Sequence, residues 1–504
     1  MEPRLSPNPS QQRGVDLLGP FLLGAALALF LFEAREVRPH YDDAYISYRY
    51  AANLVEGNGL VFNPGEYVEG FSNPLWTLLI ALGLALGAGA KVTGHALGVV
   101  AGSATLIATY AWARSGLARS QSGWAGIAAW IVLASPVFAR WSLSGMETPL
   151  FVGTTTAALA ACAWKRPGWA AAFAGLAALT RPEGPLVAAA IFGLALAGPA
   201  RRRRSTWMAL AGYVSLLAGF LTLRLLYYGD FVPNTFYAKV GDVSHPVSAL
   251  FTGVFLLENA GILVLPAALA VAHDRRAWPG AAFAAAIAIY GYAVGSVWRY
   301  LLPLVPCLAV LGVHGVISLW RRGVAPRAAA TALLVSAFAL SFLGLSGFRG
   351  PGDGLLDRAA RVGGIERERE EDAKGEALGR RRTQVILERG ERTHLVATGA
   401  IGSFGFYSRL PILDILGLVD PTIARSRPRG AEAGYAIPGH QRSDPDYVLS
   451  REPDYILIGK EVDASLRTLV PAPEALRTHP DLQLHYAWDA EVVGFRRLRA
   501  PVER

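Results

Sequence analysis

Tyr41 to Pro74 read YDDAYISYRYAANLVEGNGLVFNPGEYVEGFSNP, and this stretch decides how the rest of the chain is read. It is the first long polar segment after an apolar run, and it opens on two adjacent carboxylates, Asp42 and Asp43. One aspartate here has an ordinary explanation, because Asp is a favoured cap at a helix start. Capping does not explain two, nor the aromatics, the arginine and the Gly/Asn/Pro-rich loop that follow. The segment therefore reads as a reactive site just outside a membrane, in which a carboxylate can take a proton from an incoming hydroxyl. At helical spacing Tyr45 and Arg49 fall on faces neighbouring Asp43 and join it as candidate binding residues.

Composition supplies the membrane. Of 504 residues 52% are hydrophobic and only 17% charged, with a mean hydropathy of +0.32, whereas a soluble domain carries about 25% charged residues. The apolar residues concentrate between Val15 and Phe348, and twelve Trp and eighteen Tyr suit the two bilayer interfaces. The net charge of +9 is explained by arginines in cytoplasmic loops that set orientation, and no nucleic-acid partner is expected. Cys162 and Cys307, the two cysteines, both lie in apolar runs and read as buried small hydrophobes.

Residues 1–14 form a polar tail whose Arg4 and Arg13 place it in the cytoplasm, so the first span, from Val15 to about Phe32, delivers the Asp42/Asp43 loop to the outside. Leu75 to Ala90 is read as a helix in the outer interface, within an external loop 34–91, because a full crossing would put Arg201 to Arg204 on the wrong face. Ten further spans follow at about 92–113, 123–140, 149–164, 168–181, 184–199, 206–227, 250–272, 278–296, 300–320 and 327–347. The expected architecture is an α-helical polytopic membrane protein of about eleven transmembrane helices over residues 15–347. Residues 348–393 read as a charged helical linker, and 394–504 as a small extracytoplasmic α/β domain with strands in HLVAT, PILDILGL and DYILIG.

Four more constellations fall at the outer ends of spans. Glu147 sits in LSGMETP, Arg181 and Glu183 in LTRPEG, Asp230, Asn234 and Lys239 in YYGDFVPNTFYAK, and Arg299 in VWRYLLP. Arg181, Lys239 and Arg299 are the scarce external cations of the membrane region, and Glu258 lies within the outer half of its span. An isolated cation at such a depth often only snorkels to headgroup phosphates.

YDDAYISYRYAANLVEGNGLVFNPGEYVEGFSNPLW, SGMETPLF, LTRPEG and GDFVPNTFYAK together resemble the motifs of the C-type glycosyltransferases, integral membrane enzymes that use polyprenyl-phosphate sugars. More narrowly they are similar to the terminal arabinofuranosyltransferase group. The resemblance covers most of residues 15–347. It implies a cavity open to the outer leaflet, with the catalytic acid of the first external loop at Asp42 or Asp43 and a second acid at Glu147. It also implies transfer of a sugar to a cell-envelope polysaccharide or lipid on the periplasmic side of the bacterial inner membrane, with inversion. Arg181, Lys239 and Arg299 would clamp the lipid-linked phosphate, and Tyr45, Arg49, Glu183, Asp230 and Asn234 complete the candidate substrate set. No nucleotide-binding fingerprint occurs. The external acids admit a divalent metal, Mg or Mn, although no ligand spacing demands one. Two rival readings remain. A lipid or glycan transporter would show internal repeats or paired broken helices, and a non-catalytic scaffold of envelope assembly would tolerate alanine at both aspartates.

Overall fold

The computed structural model describes residues 9–35, 40–118, 123–239, 245–259, 261–294, 298–321, 365–390, 394–426, 442–459 and 471–498, with a few isolated positions besides. Up to residue 321 every regular element described is helical: α1 (Pro9–Glu33), α2 (Asp42–Val55), α3 (Pro74–Ala85), α4 (Ala90–Arg114), α5 (Gly123–Ala134), α6 (Pro136–Ser142), α7 (Thr148–Ala163), α8 (Pro167–Thr180), α9 (Pro185–Ala197), α10 (Arg204–Tyr228), α11 (Asn234–Lys239), α12 (His245–Glu258), α13 (Val264–His273), α14 (Trp278–Val294), α15 (Trp298–Leu301) and α16 (Leu304–Trp320). The main packed pairs are α1 with α5, α4 with α7, α7 with α8, and α13 with α16. Small residues set these approaches, as is general for helices in a bilayer. At α13 and α16 the two backbones touch, because a Cβ on Gly315 would run into the Pro266 carbonyl.

Among the described residues three helices, Ala90–Arg114, Arg204–Tyr228 and Arg275–Val294, are long and apolar enough to cross a membrane, beside apolar helices of 10–17 residues. The short helix expected after Leu75 is α3, whose 12 residues give about 18 Å of length, short of a hydrocarbon core of about 30 Å. The expected span 123–140 is broken. Ser135 is extended (φ −68°, ψ 118°) and the chain restarts as α6 at Pro136, because a residue preceding proline is pushed out of the helical region. The expected span 250–272 is likewise divided, its halves Ser248–Leu256 and Gly261–His273 lying at 83° to each other. The expected span 327–347 and the Glu258 side chain lie outside the described residues.

Beyond residue 364 the chain forms a five-stranded sheet of order β2-β1-β3-β5-β4, with β1 (Val396–Thr398), β2 (Ile412–Asp414), β3 (Tyr455–Ile456), β4 (Tyr486–Asp489) and β5 (Gly494–Arg497). β1 pairs parallel with β2 and β3, while β5 runs antiparallel to β3 and β4. The first three strands fall in the runs HLVAT, PILDILGL and DYILIG. The β4–β5 hairpin was not anticipated, since YAWD and GFRR carry no apolar alternation. Two helices complete the seam with the rest of the chain, α17 (Ile365–Glu388) and the seven-residue α18 (Gly402–Ser408). α17 occupies the charged stretch expected as a linker, and it packs on α18 and reaches α2 and α6. Its Glu376 accepts from Lys91 at 2.9 Å and from the Tyr407 hydroxyl at 2.9 Å. Burial alone would raise this carboxyl, but the surrounding donors, Lys91 foremost, hold it at about 2.

One hydrophobic core is shared across that seam. Ile46, Tyr50, Phe62 and Phe71 of the segment 41–74 are buried with Phe404, Ile412 and Val419 of the sheet domain. Each such aromatic contributes about 1.5–3 kcal/mol on full burial, so loop and sheet domain form one packed body.

Candidate active site

α2 has no side-chain cap of its own, and its first two residues leave the helix in different directions, since successive residues point about 100° apart. The Asp42 carboxylate accepts the backbone N–H of Gly402 at 3.1 Å and of Ser403 at 2.8 Å, and so caps α18. Burial pushes the Asp42 carboxyl above the usual aspartate range, and these two donors offset only part of that effect. Asp43 turns the other way and accepts from both terminal nitrogens of Arg299 at 3.2 Å. Its side chain remains 38% exposed, against 9% for Arg299.

Asp43 borders a polar recess of about 50 Å3 together with Ser47, Asn73, Glu147, Lys239 and Arg299. This recess adjoins an apolar cavity of about 500 Å3 between α8, α10, α11 and α14, walled by residues such as Leu217, Phe220, Leu221 and Phe236. Arg181, Thr235, Lys239 and Tyr300 line both spaces. The arrangement is an apolar slot ending in cations, with a carboxylate just beyond them.

The second acid is placed by a tight turn. Gly145 has φ +79°, and a Cβ there would strike His40 and Tyr48; its carbonyl accepts from Tyr48 and from the Trp76 indole, each at 3.2 Å. This turn aims Glu147 inward, where Oε1 accepts from Arg181 at 2.5 Å and Oε2 from Asn73 at 2.8 Å. Burial disfavours the Glu147 anion, yet Arg181, Arg299 and Asn73 outweigh it and hold the carboxyl below its ordinary value. Arg181 also donates to Glu183 at 2.5 Å and lies over the Tyr300 ring. Arg181 is thus committed to two carboxylates, whereas Lys239 enters no ion pair among the described residues.

Asp43, Glu147, Arg181, Glu183, Lys239 and Arg299 thus gather around the two spaces, but Asp42, bound to α18, and the remaining candidates are placed elsewhere. Tyr45 is buried among Tyr48, Phe406 and Tyr407. Arg49, 1% exposed, donates to the carbonyls of Phe62, Gly405 and Leu410 at 2.7–2.8 Å. Neither side chain lines the recess, because the α2 face they share with Asp42 is covered by α18. Asp230 accepts from Arg425 at 2.9 Å, and the Asn234 amide donates to the carbonyls of Gly417 at 2.8 Å and Leu418 at 3.0 Å. These two bind the sheet domain rather than the recess; of their motif only Lys239, with Thr235, reaches it.

Three participants escaped the sequence reading. Arg224 lines the apolar cavity and pairs with Glu69 at 2.8 Å; it stood inside an apolar run where an arginine passes for a snorkelling residue. Asn73 carried no charge to single it out, and Leu418 reaches the recess from a part of the chain 375 positions beyond Asp43. Among the described residues no three His, Cys, Asp or Glu side chains come together to hold a metal ion. The positions beside Asp43 and Glu147 are taken by guanidinium groups, which suit neither Mg nor Mn.

This combination of helices, cavity and recess has relatives. Over 234 residues the chain is 30% identical to the terminal beta-(1->2)-arabinofuranosyltransferase of Mycobacterium tuberculosis, covering 43% of this chain and 37% of that protein. Over 309 residues it is 28% identical to the terminal beta-(1->2)-arabinofuranosyltransferase of Corynebacterium glutamicum, covering 52% and 44%. The chain therefore spans less than half the length of these relatives. Among solved structures, ArnT from Cupriavidus metallidurans bound to undecaprenyl phosphate superposes with a TM-score of 0.54 at 16% identity, over 78% of this chain and 85% of that one. The archaeal oligosaccharyltransferase AglB from Archaeoglobus fulgidus, in complex with an inhibitory peptide and a dolichol-phosphate, gives 0.54 at 12% identity, over 95% and 75%. Residues 368–497 match a domain of unknown function, DUF8728. The fold is thus shared with two membrane enzymes, ArnT and the oligosaccharyltransferase AglB. The two sequence relatives are both terminal arabinofuranosyltransferases, the group that the four motifs resemble.

Proposed function

We propose that the chain is an integral membrane glycosyltransferase that moves a sugar, with inversion, from a polyprenyl-phosphate donor to a cell-envelope glycan or lipid at the outer face of the inner membrane. The observation that carries this reading is the position of Asp43, at the mouth of a recess whose cations stand at the end of a 500 Å3 apolar cavity. The cavity takes the isoprene units next to the phosphate, and Lys239 with Arg299 meets the phosphate at its polar end. Asp43 takes the proton of the acceptor hydroxyl as its oxygen bonds to the anomeric carbon; the bond from that carbon to the phosphate oxygen breaks, and polyprenyl phosphate leaves as an anion. Such a leaving group needs little acid assistance, so the protein supplies a positioned base and fixed positive charge. Glu147 keeps Arg181 in place rather than transferring the proton. The relatives put arabinofuranose first among the sugars to try.

An arrangement of eleven spans, with the N-terminus inside and the sheet domain outside, accords with the Arg201–Arg204 cluster lying at the opposite end of α10 from Arg224 and Tyr228. One assay tests both statements: transfer from a panel of polyprenyl-phosphate sugars to an impermeant envelope glycan added outside sealed spheroplasts. Transfer from one donor is expected, and Lys239→Ala should raise its KM on the order of ten- to a hundredfold by removing a charge-assisted phosphate contact. Transfer only to glycan enclosed within the cytoplasm would overturn the orientation, and none with any donor the activity.

A further inference from the structure

The sheet domain grips one face of α2 at its first turn and again at its middle. Asp42 accepts the free N–H groups at the start of α18, and Arg49, seven residues on and hence on the same side, donates to the carbonyls of Gly405 within α18 and of Leu410 just beyond it. Between them Tyr45 is packed against Phe406 and Tyr407. The contact admits no slack, since a Cβ on Gly402 would collide with the Asp42 carbonyl and carboxylate. On its next face the same helix presents Asp43, Ile46 and Ser47 to the recess, and Leu418 of the sheet domain closes the recess opposite them. Asn234 holds that closure by binding the Gly417 and Leu418 carbonyls.

We propose that Asp42 is a positioning residue: by clamping α18 to the first turn of α2 it fixes the direction of Asp43 and makes the sheet domain a working part of the catalytic recess. This rests on the proposed transfer reaction and assigns different work to two adjacent aspartates, proton transfer to Asp43 and orientation to Asp42. Arg299 and Lys239 lie on helices that take no part in the Asp42–α18 contact, so the donor site should survive its loss.

The test compares Asp42→Asn with Gly402→Ala, which presses on the same contact from the other side, in the full-length protein. Each should lower kcat roughly 10- to 100-fold, the scale of a misplacement of about 1 Å, with donor KM within twofold of wild type. Amide hydrogen exchange should rise over residues 402–408 and at the start of α2 in both. Asp42→Glu, too long for the contact, should lower the rate as well. Normal kcat in a variant whose α18 has loosened overturns the proposal. So does loss of activity in Asp42→Asn to the level of Asp43→Asn with exchange over 402–408 unchanged, which would make Asp42 the base. If wild type transfers no sugar the proposed activity falls separately, while polyprenyl-phosphate binding and the exchange pattern still report whether the clamp orders the first turn of α2.

Discussion

Asp43→Asn is expected to reduce kcat by roughly 10²–10⁴-fold, the contribution of a general base to such a transfer, while the protein keeps its fold. The substitution is nearly isosteric and the site is partly open, so it leaves no cavity. It also releases Arg299, which in the free protein spends both terminal nitrogens on the Asp43 carboxylate. With that partner neutral the guanidinium is free to meet the lipid phosphate, so donor KM should stay level or fall. A collapse of kcat beside an unchanged or lower KM marks an interaction made in the transition state rather than in donor binding. Retention of more than a tenth of the wild-type rate would remove Asp43 from the reaction.

The second large effect concerns Arg181, whose guanidinium is shared by Glu147 and Glu183 at 2.5 Å each, with side-chain exposures of 6%, 4% and 0%. Arg181→Met leaves two buried carboxylates without their partner. Breaking a buried pair in this way costs about 3–5 kcal/mol, and two anions share this one cation. We expect Arg181→Met to unfold well below wild type in detergent and to be inactive. Adding Glu147→Gln and Glu183→Gln should return most of the thermal stability, since the stranded charges are gone, without returning activity. If Arg181→Met melts with wild type, the triad does not hold the recess together.

The polar end of the cavity was legible because charge is scarce in an apolar chain: Asp43, Glu147, Arg181, Lys239 and Arg299 stood out as acids and cations at helix ends. What spacing did not reveal was the division of labour within a motif. Asp42 and Asp43 look equivalent as letters, and Asp230, Asn234 and Lys239 share one motif, yet in each set some residues face the recess and others face the sheet domain. That choice is made by contacts across about 360 positions of chain, such as Asp42 to Ser403, which no periodicity reports. The break at Ser135 is marked in the sequence only by Pro136, and the apolar run that continues through it hides it. Strands β4 and β5 escaped because a short, half-exposed hairpin needs no hydrophobic alternation.

The aromatic core shared by Tyr50, Phe62 and Phe71 with Phe404, Ile412 and Val419 also fixes an order of events during biogenesis. The segment 41–74 leaves the ribosome early, but the surfaces that bury its rings are made more than 300 residues later. Contacts of such separation form late, after the loop-closure entropy has been overcome. Until then the nascent chain carries its aspartates on an open, protease-sensitive loop. Protection of that loop should therefore appear only once synthesis has passed the sheet domain, and a chain stalled before residue 394 should hold an inserted but catalytically silent bundle.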